Sequence, residues 1–404
     1  MNAKSINPWL VIAGTIIVQM GLGTIYTWSL FNQPLGSKFD WDLSSVAITF
    51  SITSFSLALS ALFAGKLQEK LGIRKLITLA GIALGSGLIL SSKASSLPML
   101  YLLAGVVVGF ADGTAYITSL SNIIKWFPER KGLISGISVS AYGMGSLIFK
   151  YINGEMIETA GVSKAFLFWG IIVMIMVVLG ARLLHEVPLI EKEFQTTQLK
   201  SDYTVGEMLR TKEVYLLFLM FFTACMSGLY LISIAKDIGV ELAGLNVTTA
   251  ANAVAMIAIF NTVGRIILGA LSDKVGRLKV VGFTFIVTAV SVLALSFAEL
   301  NYFIFFICVA SIAFCFGGNI TVFPAIVGDF FGMKNHSKNY GIVYQGFGLG
   351  ALSGSFIAAL AGGFKPTFVV IGTLCIISVI IALLIKPPSK RERMPRGNPQ
   401  TRLV

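Results

Sequence analysis

The sequence predicts an all-α membrane protein of twelve transmembrane helices, arranged as two pseudo-symmetric six-helix halves with both termini cytoplasmic. Three observations carry this. Of 404 residues, 55% are hydrophobic and 12% charged, about half the charged fraction of a soluble domain. Apolar runs recur from end to end, and about 20 such residues suffice for a helix to cross a bilayer. An eleven-residue pattern also occurs twice, "GKLQEKLGIRK" at 65–75 and "GALSDKVGRLK" at 269–279, an offset of 204.

The spans follow in order. The first covers 8–31; its lone lysine and apolar stretch imitate a signal peptide, but the run is long and no small-residue cleavage site follows, so an uncleaved span is expected. Spans two (44–66) and three (75–92) flank the first copy of the repeat. Span four (97–124) carries Asp112, and span five (132–154) carries "AYGMGSL" at 141–147. Span six (163–185) is built on "FLFWGIIVMIMVVLGA". Span seven (213–236) closes on Lys236–Asp237, and span eight (247–271) holds Arg265 and runs into the second copy of the repeat. Spans nine (278–298) and ten (301–323) follow. Span eleven (339–361) carries "GFGLGAL" at 346–352, which is 205 residues after "AYGMGSL", and span twelve (367–386) is built on "FVVIGTLCIISVIIALLI". The chain thus divides into a bundle at 1–185, a mixed-charge cytoplasmic linker at 186–212, a second bundle at 213–386 and a basic tail at 387–404. Two halves in the same orientation imply an axis along the membrane normal and a binding site between them.

Charge sets the orientation. With both ends inside, inner segments hold 24 Lys and Arg and outer segments six, namely Lys38, Lys93, Lys150, Lys164, Lys236 and Lys365; basic residues gather on the cytoplasmic side. The net charge of +12 therefore faces the lipid bilayer and its headgroups, and nucleic acid is not an expected partner. Cys225, Cys308, Cys315 and Cys375 lie in apolar runs without metal spacing and read as packing residues. His185 and His336 fall in inner loops with no carboxylate relay beside them. No paired carboxylates, metal-ligand cluster or nucleophile constellation occurs in the spans, so no enzyme and no cofactor is expected.

Two formal charges lie deep in the bilayer. Arg265 precedes Asp273 by eight residues, about 12 Å of helix, which places it slightly to the cytoplasmic side of the midplane. Snorkelling to the inner interface is one reading; the other is a wet cavity, because intramembrane charges usually face the bundle interior and mark a pathway. Asn261, one turn earlier, is expected on the same face. A guanidinium there matches a carboxylate with two parallel hydrogen bonds, which Lys cannot copy. Asp112 lies near mid-membrane with Tyr116 one turn on. An Asp112–Arg265 ion pair is expected to relieve both charges, with an incoming carboxylate competing for Arg265 and Asp112 then taking a proton. The alternative for Asp112 is a protonated or capping residue where Gly113 loosens the helix.

The repeated pattern Gly-x-Leu-x-acid-base-x-Gly-x-x-base resembles the signature of the major facilitator superfamily. The resemblance implies gating loops at the cytoplasmic face, built on Gly65, Glu69 and Arg74 in one half and Gly269, Asp273 and Arg277 in the other. Glu69 departs from the commoner Asp but keeps the charge. The whole chain further resembles the oxalate/formate antiporter family, through "IYTWSLFNQP" (25–34), "KWFPERKGLISG" (125–136), "GEMLRT" (206–211), "GRIILGALSDK" (264–274) and "KNYG" (338–341). Within it, the chain also resembles the pyruvate carriers of enteric bacteria.

That resemblance implies a substrate site. Arg265 matches the family's basic residue of span eight, whereas the lysine of span eleven falls on Phe347. The tyrosines of spans one and four are kept as Tyr26 and Tyr116. A glutamine before the first becomes Ile25, and a Trp and Tyr of span ten become Phe316 and Ile320. One cation, two phenols and an apolar wall suit a short monocarboxylate such as pyruvate or lactate better than a dicarboxylate. The expected protein is a monomeric secondary carrier in the bacterial inner membrane, working by alternating access and coupled to a proton. Exchange against a counter-anion is the alternative. A transporter-like anion receptor is a different class; it would need an added signalling domain, and the soluble segments are a short linker and tail.

Overall fold

The computed structural model describes residues 7–187 and 202–388. Most of the expected linker, nearly all of the basic tail and the side chain of Lys236 lie outside the described residues. Among the described residues there is no strand. Twelve helices are long and apolar enough to cross a membrane, and in lipid a helix is the one open structure that satisfies every backbone group internally. The spans are Pro8–Thr27, Ile48–Leu71, Ile73–Ser91, Leu97–Trp126, Lys131–Ala160 and Val162–Leu183 in the first half. Lys212–Ala235, Ala255–Val275, Arg277–Phe297, Tyr302–Phe331, His336–Ala358 and Phe364–Leu384 form the second. An even number of crossings returns the chain to the face on which it starts, here called the terminal face.

Local chemistry fixes the ends. Asn7 caps span one through Trp9 N at 3.0 Å, with Pro8 in the first turn. Asn246 and Asn301 cap the helices of spans eight and ten, each such cap being worth about 1 kcal/mol. The second glycine of each repeat copy turns the chain: Gly72 and Gly276 have φ of 72° and 106°, a region that penalises any Cβ, and each ends one span while starting the next.

Several helices run past the stretches expected from hydropathy. Span five continues to Ala160 and the helix of span seven to Glu241. Lys150 thus lies inside a helix and does not end one. Hydropathy falls where polar residues begin, but the helix stops only at a cap such as Gly161. Other helices break. Span one turns into a 3₁₀ segment at Thr24–Thr27 and resumes as a helix at Ser29–Phe39. Span four opens with one α-helical turn, Leu97–Leu100, and passes through a π-helical stretch, Tyr101–Val107. Span eleven is interrupted at Tyr344, between His336–Val343 and Gln345–Ala361.

Within each half the pairings repeat: two against four, one against five and three against six in the first, eight against ten, seven against eleven and nine against twelve in the second. Between the halves, span two meets eleven and span five meets eight. Both crossings are backbone against backbone. A Cβ on Gly136 would lie 2.5 Å from the carbonyl oxygen of Arg265, and one on Gly341 would lie 2.2 Å from that of Ala61. These are equivalent positions in the two repeats, so Arg265 occupies the place that Ala61 holds in the other half. Phe297, Phe303, Leu360 and Leu383 stand exposed around the outside, an apolar belt that suits contact with lipid.

Candidate functional site

Arg265 is 8% exposed. Its Nη1 donates to the backbone carbonyl of Val139 on span five at 2.5 Å, and its Nε is buried without a partner. Gly143, one turn further along span five, leaves room for the head group; a Cβ there would come within 3.0 Å of Nη1. The charge is therefore held inside the bundle, at the crossing of spans five and eight, and does not snorkel. Among the described residues no carboxylate lies within ion-pair distance of it.

Around it stands a relay of rings. Phe347 stacks on Tyr344 at 5.3 Å with planes 6° apart, and Tyr344 lies 5.5 Å from Tyr116. Tyr142 meets both Tyr116 and Tyr26 edge-on at 5.4 Å, and Tyr26 meets Phe50 at 6.0 Å. Edge-to-face and offset contacts at these separations are the favoured aromatic geometries. The hydroxyls of Tyr26, Tyr116, Tyr142 and Tyr344 lie within electrostatic reach of Arg265. The wall thus joins spans one, four and five of the first half to span eleven of the second. Gly23 brings span one close, since a Cβ there would lie 1.7 Å from the carbonyl oxygen of Tyr142; the 3₁₀ turn that follows presents Tyr26. That ring is 39% exposed while the other three tyrosines are buried.

Asp112 is wholly buried. It accepts a hydrogen bond from the Tyr142 hydroxyl at 3.1 Å on Oδ1, and its Oδ2 has no partner. The expected ion pair with Arg265 is not formed. Span four packs tightly on span two here, where a Cβ on Gly113 would be 2.1 Å from the Leu57 carbonyl oxygen. Its hydrogen-bond partner, Tyr142, directly precedes the Gly143 that faces the guanidinium.

The other expected lining residues are placed differently. Asn261 donates from Nδ2 to the Ala313 carbonyl at 3.2 Å, tying span eight to span ten rather than pointing with the guanidinium toward span five. Phe316 lies against Gly228 of span seven, where a Cβ would be 2.1 Å from the ring. Ile25 and Ile320 are buried in the apolar core. The structure therefore brings Arg265, Tyr26, Tyr116 and Phe347 together with Tyr142 and Tyr344, and leaves Asn261 and Phe316 to helix packing. The repeat held a signal for Tyr142, because "AYGMGSL" and "GFGLGAL" place it opposite Phe347.

At the terminal face the halves are latched. The Asp273 carboxylate accepts from the backbone amides of Gly132 and Leu133 at 3.0 and 2.9 Å, where the N-terminus of span five favours negative charge. Arg277 pairs with Asp273 at 2.9 Å and also with Asp329, and Lys131 reaches Asp329 at 2.7 Å. A Cβ on Gly132 would lie 2.3 Å from the Gly269 carbonyl oxygen. In the equivalent corner Glu69 pairs with Lys338 at 2.6 Å, and Gly65 lies against the Lys338 backbone. Arg74 stays out of this latch: its Nε donates to the Leu184 carbonyl at 2.7 Å and its head group meets His185. His336 is not a loop residue; it is the buried first residue of its helix, with Nε2 2.8 Å from the Pro324 carbonyl. A polar cavity of about 260 Å³ opens beside the second corner, lined by Gln68, Glu69, Asn122, Lys125 and Lys338 among others. None of the residues expected to bind substrate lines it.

Comparison with known proteins adds relatives to this geometry. The profile of the Major Facilitator Superfamily matches residues 11–259 and 215–403. An uncharacterized MFS-type transporter of Escherichia coli (strain K12), YhjX, is 48% identical over 344 residues, covering 85% of this chain and 86% of that one. The oxalate:formate antiporter of Oxalobacter formigenes is 27% identical over 98% of this chain and 96% of its own. Human monocarboxylate transporter 12 is 30% identical over 203 residues, 48% of this chain and 39% of that one. Among solved structures, the transporter FucP in its outward conformation superposes with a TM-score of 0.73 at 12% identity, covering 92% of this chain and 97% of that one.

Proposed function

The chain belongs to the major facilitator superfamily, a family of transporters and not enzymes, and from that premise we propose that it carries small monocarboxylates of the pyruvate and lactate class. The observation that carries this reading is the state of Arg265: buried, bonded to a backbone carbonyl and, among the described residues, without a carboxylate partner. Leaving a buried charge unpaired costs about 3–5 kcal/mol, so a carboxylate entering the site is met by a cation with no competing anion. The two desolvation costs cancel much of that gain. Affinity on the order of micromolar to millimolar is expected, which corresponds to about −8 to −4 kcal/mol and lets a carrier release its load. The remaining walls are aromatic and aliphatic. They offer a methyl or hydroxymethyl group a place to lie and a second carboxylate none.

Transport proceeds by alternating access of the two bundles, 1–185 and 213–386, joined by the linker at 186–212. The bias of basic residues puts the terminal face in the cytoplasm, so the latched state here is the one closed to the inside of a bacterial inner membrane. One chain contains the whole site, so a monomer suffices. Asp112 is the group we assign to the coupled proton: among the described residues it is the carboxyl that bonds to the wall of the site, and no cation lies within ion-pair distance of it. Exchange of one carboxylate for another is the second reading, supported by the near full-length similarity to an oxalate:formate antiporter.

Uptake of labelled pyruvate, lactate and oxalate into proteoliposomes, with and without a pH gradient or an internal anion, tests all of this. Accumulation of pyruvate or lactate driven by the gradient alone is the expected result. Uptake that needs an internal anion and ignores the gradient would select the exchanger, and oxalate as preferred substrate would overturn the monocarboxylate assignment.

A further inference from the structure

One turn of span five touches both charges buried in the membrane. Val139 supplies the carbonyl that Arg265 Nη1 occupies at 2.5 Å. Tyr142, on the same turn, donates its hydroxyl to Asp112 Oδ1 at 3.1 Å. Gly143 then gives the guanidinium its room. Tyr142 is also the ring against which both Tyr26 and Tyr116 are set edge-on, each at 5.4 Å. Among the described residues it is therefore the side chain that both bonds to Asp112 and packs in the wall of the proposed substrate site.

Nothing else near Asp112 can take this part. Span one contributes Tyr26, whose field reaches the carboxyl without a bond to it. Span two offers the Leu57 backbone and the Ser60 hydroxyl, both against Gly113, and Ser60 already donates to the Leu57 carbonyl at 2.8 Å. Span four itself adds Tyr116, and from span eleven Tyr344 faces Tyr116 and not Asp112. Among the described residues no side chain of these spans or of span three puts a positive charge within ion-pair distance of it.

A phenol has one hydrogen to donate, so Tyr142 can serve one carboxylate at a time. Resting on the carrier reading above, we propose that Tyr142 is the coupling residue: its hydroxyl serves the Asp112 carboxylate in the empty carrier and the substrate carboxylate on Arg265 once Asp112 is protonated. The proton comes from water on the open side, bonds to an Asp112 oxygen, and leaves to water on the other side after release of substrate. Tyr142 keeps its own proton throughout. Protonation of Asp112 thereby frees a donor for the substrate, and substrate held by that donor keeps Asp112 protonated. The two binding events assist each other, and such linkage is reciprocal. Tyr142 touches Asp112 in one state and the substrate in the other, and is a substrate-binding residue in this scheme.

The test is the pH dependence of KM for pyruvate exchange, together with gradient-driven accumulation, in purified wild type, Tyr142→Phe and Asp112→Asn. In the wild type KM should rise as pH rises, because the free donor is lost when Asp112 ionises. In Tyr142→Phe exchange should persist with a KM raised by about threefold, the scale of one lost hydrogen bond, while its pH dependence flattens and accumulation falls by more than about tenfold. Asp112→Asn, neutral at every pH, should also give a flat KM and no accumulation. Tyr142→Phe that keeps the wild-type pH dependence and accumulation overturns the proposal. So does a monodisperse Tyr142→Phe with no exchange at all, since the Arg265 grip is held to survive without the hydroxyl. A wild type that exchanges neither pyruvate nor lactate at any pH brings down the carrier reading itself, a result distinct from either.

Discussion

Arg265 on span eight gives its Nη1 to the carbonyl of Val139 on span five at 2.5 Å, so the deepest cation of the second half rests on the backbone of the first. A carboxylate that takes the guanidinium competes with one neutral acceptor and with no anion. On the proposed reading, substrate binding and contact between the halves share an atom.

Replacing that atom's group tests the grip. Arg265→Lys keeps the charge and loses the planar fork. Initial uptake of labelled pyruvate by proteoliposomes should fall by about tenfold or more, which corresponds to about 1.4 kcal/mol. Uptake equal to wild type would count against a bidentate contact.

Phe347 stacks on Tyr344 at the far end of the aromatic wall. Phe347→Lys would place a second cation there, and two cations suit two carboxylates. The ratio of oxalate to pyruvate uptake should rise by about tenfold. An unchanged ratio would remove the aromatic residue from the account of specificity.

Gly143→Ala adds a methyl about 3.0 Å from Arg265 Nη1. The guanidinium must shift by a few tenths of an ångström and loosen its hold on Val139. KM for pyruvate should change by about threefold in this tightly packed place, with the maximal rate little altered. A change in maximal rate at constant KM would show that the glycine serves helix movement and not the cation.

Gly132→Val should keep the terminal face from closing, since even a Cβ would press 2.3 Å from the Gly269 carbonyl oxygen. The amides of Gly132 and Leu133 would also lose their seat on Asp273. A thiol introduced as Ser337→Cys, buried at this face, should then react faster with a water-soluble reagent than in the Gly132 background. Equal labelling rates would mean that the latch does not set the conformation.

Much of this molecule was legible in its residues. The twelve spans follow from runs of apolar residues that no other solvent tolerates, and the duplicated motif located both corners of the latch. That Arg265 faces the bundle interior was also legible, because a charge within an apolar span is expected to turn away from lipid, and it is 8% exposed. Direction around the helix axis was not. Asn261 and Arg265 are one turn apart, yet one bonds to span ten and the other to span five, because a helix at a crossing has neighbours on several sides. The Asp112–Arg265 pair failed for a related reason: each charge found a different partner on span five, Asp112 the Tyr142 hydroxyl and Arg265 the Val139 carbonyl. The 3₁₀ turn at Thr24–Thr27 left no trace in hydropathy; it follows directly on the close approach of Gly23 to the backbone of Tyr142.

The crossings at Gly136–Arg265 and Gly341–Ala61 lie one helical turn inside the latch contacts of Gly132 with Gly269 and of Gly65 with Lys338. On the proposed carrier reading these contacts, free of intervening side chains, act as fulcrums on which the lobes tilt. Arg265, the cation proposed to hold the substrate, is itself half of one of them. In that reading the cargo travels less than the mouths do, so its grip need not be broken for the protein to change the compartment it faces.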